Sequence, residues 1–149
     1  MFSRKELLKN SALAVSTLSV AQAILAEDHD HSKMPASPIS KNKYSKAMMS
    51  ALHCKLAAEL CINHCISELA KGEKSMAACL KTATETKSVC DSFISLAALE
   101  SNFTKKIANL CIEVCRVCEA ECKKHAAHHQ VCKDCMDCCK SCIKELSSI

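Results

Sequence analysis

Five cysteines crowd into residues 131–142, VCKDCMDCCKSC, and nine more are spread from Cys54 to Cys122. A thiol can serve as a nucleophile, oxidise to a disulfide or, as thiolate, hold a soft metal ion, so the way the chain positions sulfur decides among these chemistries. The spacing is regular. Cys54, Cys61 and Cys65 stand at offsets 0, 7 and 11; Cys79 and Cys90 are eleven apart; Cys111, Cys115, Cys118 and Cys122 stand at 0, 4, 7 and 11; Cys132, Cys135, Cys139 and Cys142 at 0, 3, 7 and 10. At about 100° per residue each set falls on one face of a helix, with Cys138 at the edge of the last face. This is the repeat that usually carries leucine or isoleucine, and here it carries sulfur.

The elements that must position these stripes are helical. One glycine and two prolines in 149 residues leave almost no turn chemistry for strands and stapled loops. One tyrosine, three phenylalanines and no tryptophan are poor material for a conventional core. From about Asn42 the pattern predicts four helices. The first runs to about Ala70 and stops at Gly72, a natural left-handed position; Ser75 can cap the second, which continues to about Glu100. Ser101-Asn102 separates a third helix of roughly Phe103 to Lys124. A turn is placed at HAAHHQ because an unbroken helix to Leu146 would reach about 60 Å and outrun its partners. Short connections between helices of similar length imply an all-α, antiparallel up-down-up-down four-helix bundle over 42–149, with a cysteine-lined core. Leu52, Leu56, Leu60, Leu80, Leu96, Ile112 and Val117 fall beside or behind the stripes, where they seal seams or meet other subunits.

The first 41 residues read differently. MFSRKELLKN is basic, SALAVSTLSVAQAILA is apolar but short, and Ala21-Gln22-Ala23 offers a cleavage site, with Ala26 as another. Residues 1–26 are therefore expected to be a signal peptide and 27–41 a polar, flexible linker. Arg4-Lys5 stands where a twin-arginine export signal has its arginine pair, with lysine in the second place. The expectation is an exported, periplasmic protein with no membrane association after cleavage. A net charge of +4, with lysines scattered among acids, gives no basic stripe, so nucleic acid is not an expected partner.

Several uses of the thiols compete. As small hydrophobes, thirteen cysteines in register would leave a thinly filled, oxidisable core. Disulfides suit an even cysteine number and an exported chain, but a bridge along one helix cannot close and stripes of three or four exceed what crosslinking needs. Cys132, Cys135, Cys138 and Cys142 reproduce the C-x2-C-x2-C-x3-C run of bacterial ferredoxins, which implies an iron–sulfur electron carrier as the alternative. Ile143 replaces the expected proline, however, and the helical phase leaves no loop to wrap a cluster. Zinc asks for separate tetrahedral sets of four. Cu(I) accepts two or three thiolates and lets one sulfur bridge two ions; pairs such as Cys61/Cys65, Cys111/Cys115, Cys115/Cys118, Cys118/Cys122, Cys132/Cys135 and Cys139/Cys142 supply such clamps. One Cu(I) per thiolate also leaves the interior neutral.

From Asn42 onward the chain resembles the bacterial cysteine-rich copper storage proteins. The resemblance rests on CxxxC at Cys61/Cys65, CxxxCxxCxxxC from Cys111 to Cys122 and CxxCxxCCxxC from Cys132. It implies a four-helix bundle holding multiple Cu(I) ions per chain on inward-facing cysteines, a homo-oligomer, commonly a tetramer, and the exported type of the family. A store also implies a copper donor and a copper acceptor protein, neither of which the residues specify. His125 lies on the Cys111/Cys122 stripe and His129 just beyond, at the bundle end shared with Met76; they are candidates for a mouth that passes Cu(I) inward, and equally for a wet turn with no metal role. His53 and His64 sit roughly 80 to 100° from the cysteine face, and Met48 and Met49 lie near the opposite end. No Glu-x-x-His pair, phosphate loop or cysteine with a dedicated base points to an enzyme.

Overall fold

The computed structural model describes residues 41–149. The signal peptide expected at 1–26 and, apart from Lys41, the linker expected at 27–41 lie outside the described residues. Within them stand four helices: α1 (Ser45–Ala70), α2 (Met76–Ala98), α3 (Thr104–Lys123) and α4 (Gln130–Leu146). Each packs against its neighbours in sequence, and α1 also packs on α4, which closes the ring of an up-down-up-down bundle.

The turns follow from a few backbone devices. Gly72 takes φ +96°, and the Gly72 and Glu73 amides donate to the Leu69 and Glu68 carbonyls at 3.0 Å, so α1 ends where its glycine was expected to end it. Helix α2 stops at Ala98, before the expected Glu100, because Glu100 itself enters the left-handed region at φ 48°. A non-glycine residue there costs about 1–2 kcal/mol. The Asn42 side chain offsets part of it by donating to the carbonyls of Ala97 (3.1 Å) and Ala98 (3.4 Å). Ser75 precedes α2 as predicted but does not cap it: its hydroxyl donates to the Glu73 carboxylate at 2.7 Å. At the fourth helix the chain turns without glycine or proline, since His129 adopts an extended conformation and breaks the helical run before Gln130.

The interior is built from small side chains. Cysteine and alanine supply most of it, and Phe93, Met76 and Leu146 are the largest fully buried residues. The leucines divide. Leu80, Leu96 and Ile112 are half-buried at seams, whereas Leu52, Leu56, Leu60 and Val117 are exposed. Ion pairs Lys87–Glu59 (2.6 Å) and Lys55–Asp91 tie α1 to α2. Such half-exposed pairs add little stability, but they fix the register in which α1 and α2 present their thiols.

At the end where α1 and α3 begin, the buried residues are apolar: Ala47, Met48, Phe93, Ala97, Ala108 and Leu146. This plug carries Phe93 and Leu146, two of the three largest fully buried side chains. Truncating Phe93→Ala is therefore expected to destabilise the bundle by about 3–5 kcal/mol. Urea unfolding under reducing conditions measures it, and a loss below about 1 kcal/mol would show that Phe93 does not close this end.

Candidate metal centre

Thirteen of the fourteen cysteines are buried and Cys138 is half-buried; all fourteen are free thiols. The helical phase read from the sequence thus does turn the four stripes inward. Across the bundle the sulfurs meet: Cys90–Cys111 are 3.5 Å apart, Cys61–Cys79 3.6 Å, Cys79–Cys122 3.7 Å, Cys54–Cys139 3.8 Å, Cys54–Cys115 3.9 Å and Cys118–Cys135 3.9 Å. These are contacts between thiols, far beyond the roughly 2.05 Å of a disulfide bond. Only Cys118–Cys122, at 3.9 Å, joins two cysteines of one helix. The clamps expected along single helices are therefore mostly formed between helices, because antiparallel packing brings neighbouring stripes closer than one helical turn does.

Four sets of sulfurs lie within 4.8 Å of one another: Cys54, Cys90, Cys115 and Cys142; Cys61, Cys79 and Cys132; Cys61, Cys122 and Cys135; and Cys118, Cys135 and Cys139. Cys61 and Cys135 each belong to two sets, so the three-sulfur sets run into one another, and the set of four, which shares no sulfur with them, touches them through Cys54 and Cys139 at 3.8 Å. Cys65 is fully buried on α1 beside this array, and Cys138 stands at its rim. The ferredoxin-like run does not form a cluster loop. Cys132, Cys135, Cys138 and Cys142 all lie inside the continuous helix α4, with Cys138 turned away from the other three.

The electrostatics are those of a crowded acid. The thiol of Cys54 is brought down to about 6 by hydrogen bonds from Cys115 and then Cys139. Cys79, Cys135 and Cys142 are also lowered, chiefly by Cys122, Cys118 and Cys111 respectively. Cys61, Cys90, Cys115 and Cys122 are raised, as the donors to such thiolates must be, chiefly through Cys122, Cys111, Cys111 and Cys118. Burial raises Cys138. Each lowered thiol is thus matched by raised neighbours that donate to it, and a buried interior disfavours many uncompensated thiolates. A cation that replaces a proton removes that limit.

The histidine end adds nitrogen. His64 Nε2 and His129 Nδ1 are 2.9 Å apart, and the rings of His125 and His129 are 6.4 Å apart between centroids. His125 Nε2 is buried without a hydrogen-bond partner, a state that a metal ion would relieve. Met76 is fully buried at the same end. His64 was not among the candidates read from the sequence, since its angle from the cysteine face placed it at a seam. Its position beside Cys65, at the α1 end that meets the α3–α4 turn, was the available signal. His53 is exposed on the outer face of α1, and Met48 is buried in the plug at the opposite end.

A bundle whose interior is a continuous array of free thiols, with linked sets of three and four sulfurs, belongs to the class of thiolate-lined soft-metal stores. Residues 40–149 match the family described as copper storage protein, and the chain belongs to that family. The Cu(I)-bound copper storage protein BsCsp3 has a similar fold: TM-score 0.65, 26% identity, covering 71% of this chain and 97% of that one. A cytosolic copper storage protein from Streptomyces lividans, determined with five coppers, gives TM-score 0.65 at 25% identity over 70% of this chain and 89% of its own. The cysteine-rich protein YhjQ of Bacillus subtilis is 28% identical over 108 residues, 72% of this chain and 96% of the relative.

The Streptomyces likeness corrects one expectation. This chain was expected to be exported to the periplasm, whereas that relative is cytosolic. No described helix is long and apolar enough to cross a membrane.

The burial pattern makes a direct prediction. Alkylation of the native reduced protein at pH 8 should label Cys138 first and leave the other thirteen cysteines protected until the bundle is unfolded. Mass spectrometry of the labelled peptides reads this, and early labelling across α3 would contradict the inward stripes.

Proposed function

We propose that Cys54, Cys61, Cys65, Cys79, Cys90, Cys111, Cys115, Cys118, Cys122, Cys132, Cys135, Cys138, Cys139 and Cys142 hold Cu(I) as bridging thiolates. His125, with His129 and His64, forms the mouth through which the ions pass. The observation that carries this reading is the sharing of Cys61 and Cys135 between adjacent sulfur sets. Shared sulfur suits an ion content with two or three ligands per ion and bridging thiolates, and it suits separated zinc tetrahedra poorly. The donor set fits a soft monovalent ion, and the orphaned nitrogen of His125 adds a ligand at the rim. On the order of a dozen Cu(I) ions per chain would match the thiolates one for one. The thiols adjoin one another rather than a dedicated base, which favours a store over a catalyst. Copper reaches it from a donor protein and leaves to an acceptor.

The chain also associates with copies of itself. Met49, Leu52, Leu56 and Leu60 form an exposed apolar stripe along the outer face of α1, with exposures of 39%, 43%, 59% and 57%. Two such helices crossing antiparallel at Leu56 would set Leu52 against Leu60, apolar on apolar. An unpartnered stripe of this kind is an interaction surface by the usual measure of exposed patches.

Anaerobic titration of the reduced protein with Cu(I) should saturate near one ion per cysteine, and alkylation of the unfolded thiols beforehand should abolish uptake. Retention against a chelator should fall as the pH drops, because protons compete with Cu(I) for every sulfur. Saturation at one or two ions, or brown colour with labile sulfide, would contradict storage. Separately, Leu56→Glu combined with Leu60→Glu should lower the oligomeric state on sedimentation while leaving copper capacity unchanged; an unaltered oligomer would remove α1 as the interface.

A further inference from the structure

The sulfur array is uneven at mid-height. Helices α3 and α4 carry cysteines without a gap, but α1 offers Ala57 and Ala58 between Cys54 and Cys61, and α2 offers Ala83 and Thr86 between Cys79 and Cys90. At that level the sulfurs come from α3 and α4 alone, through the set Cys118, Cys135 and Cys139. Thr86 stands seven residues from Cys79 and four from Cys90, on the same face, and is 0% exposed.

Its hydroxyl is anomalous. Thr82, Thr84, Ser88, Ser92 and Ser95 each donate back to a carbonyl three or four residues earlier in α2. Thr86 Oγ1 alone among these α2 hydroxyls has no partner, although it is buried. An unsatisfied hydroxyl in the core is a cost that valine of the same shape would avoid. Something other than the metal-free fold must use it.

We infer that Thr86 is a positioning residue of the copper store, whose hydroxyl donates to a copper-bridging thiolate at mid-height once the column is loaded. The inference rests on the storage reading and deepens it. Before loading, the thiols supply hydrogen-bond donors to one another. Each thiol that binds Cu(I) gives up its proton, so a filled column contains sulfur acceptors and no S–H donors. On the wall where α1 and α2 bring no sulfur, Thr86 supplies the missing donor. The O–H···S bond draws charge from the bridging thiolate and holds it in place between the sulfur sets above and below.

The test compares the native chain with Thr86→Val, Thr86→Ser and Thr86→Cys, each reduced and loaded anaerobically with Cu(I) alone. Thr86→Val should fold with an unchanged or higher metal-free melting temperature. Its last-bound copper should be stripped by a chelator roughly tenfold faster, as for loss of one charge-assisted hydrogen bond, with a shifted Cu(I)–thiolate emission. Thr86→Ser should behave as native, and Thr86→Cys should gain capacity because the position faces the column. If valine matches native in stripping and emission, if serine fails to rescue, or if cysteine adds no capacity, the inference is overturned. Should Thr86→Val not fold, Thr86→Ala carries the same loss of donor. A native protein that takes up no Cu(I) would instead overturn the storage reading itself.

Discussion

The constraint on which the molecule turns is the cost of burying charge. Thirteen thiols are buried together, and as thiolates they would repel one another in a medium that screens poorly. The metal-free bundle escapes by keeping most of them protonated, with Cys54, Cys79, Cys135 and Cys142 lowered by the S–H groups of their neighbours. A monovalent soft cation offers the other escape, one ion for one proton, with no change in net interior charge. The interior is thus built so that exchanging protons for copper leaves its electrostatics level.

That choice of core has mechanical consequences. Cysteine and alanine are small, so the helices cannot gain the burial that leucine would give, and the large leucines of α1 face outward. Apolar packing is concentrated at one end, around Met48, Phe93 and Leu146, while the other end carries His64, Met76, His125 and His129. One end is sealed by hydrocarbon and the other carries histidine nitrogen. A filled column would add stability where the side chains do not, since an ion bound only by the folded state stabilises it.

Most of the fold was legible because cysteine spacing doubles as helix phase. Offsets such as 0, 4, 7 and 11 fix both the helix and its inward face, and Gly72 marks its turn outright. What escaped the sequence lay in relations between helices. Whether Cys61 meets Cys65 or Cys79 depends on the register set by Lys87–Glu59 and on the closeness of antiparallel neighbours, neither of which a periodicity contains. The end of α2 depended on Glu100 adopting a left-handed backbone, which its residue type does not announce. His64 looked peripheral from its own helix and became central only when the α3–α4 turn brought His129 to it. The periplasmic expectation came from the first residues and gave way to a relative described as cytosolic.

Crystals of the reduced protein soaked anaerobically with Cu(I), and recorded on either side of the copper absorption edge, would locate the ions outright. The account predicts anomalous peaks strung along the bundle interior, each bounded by sulfurs from at least two helices and shared between the sets that meet at Cys61 and Cys135. Peaks confined to the histidine end or the outer surface, with the interior cysteines metal-free or joined as disulfides, would contradict it.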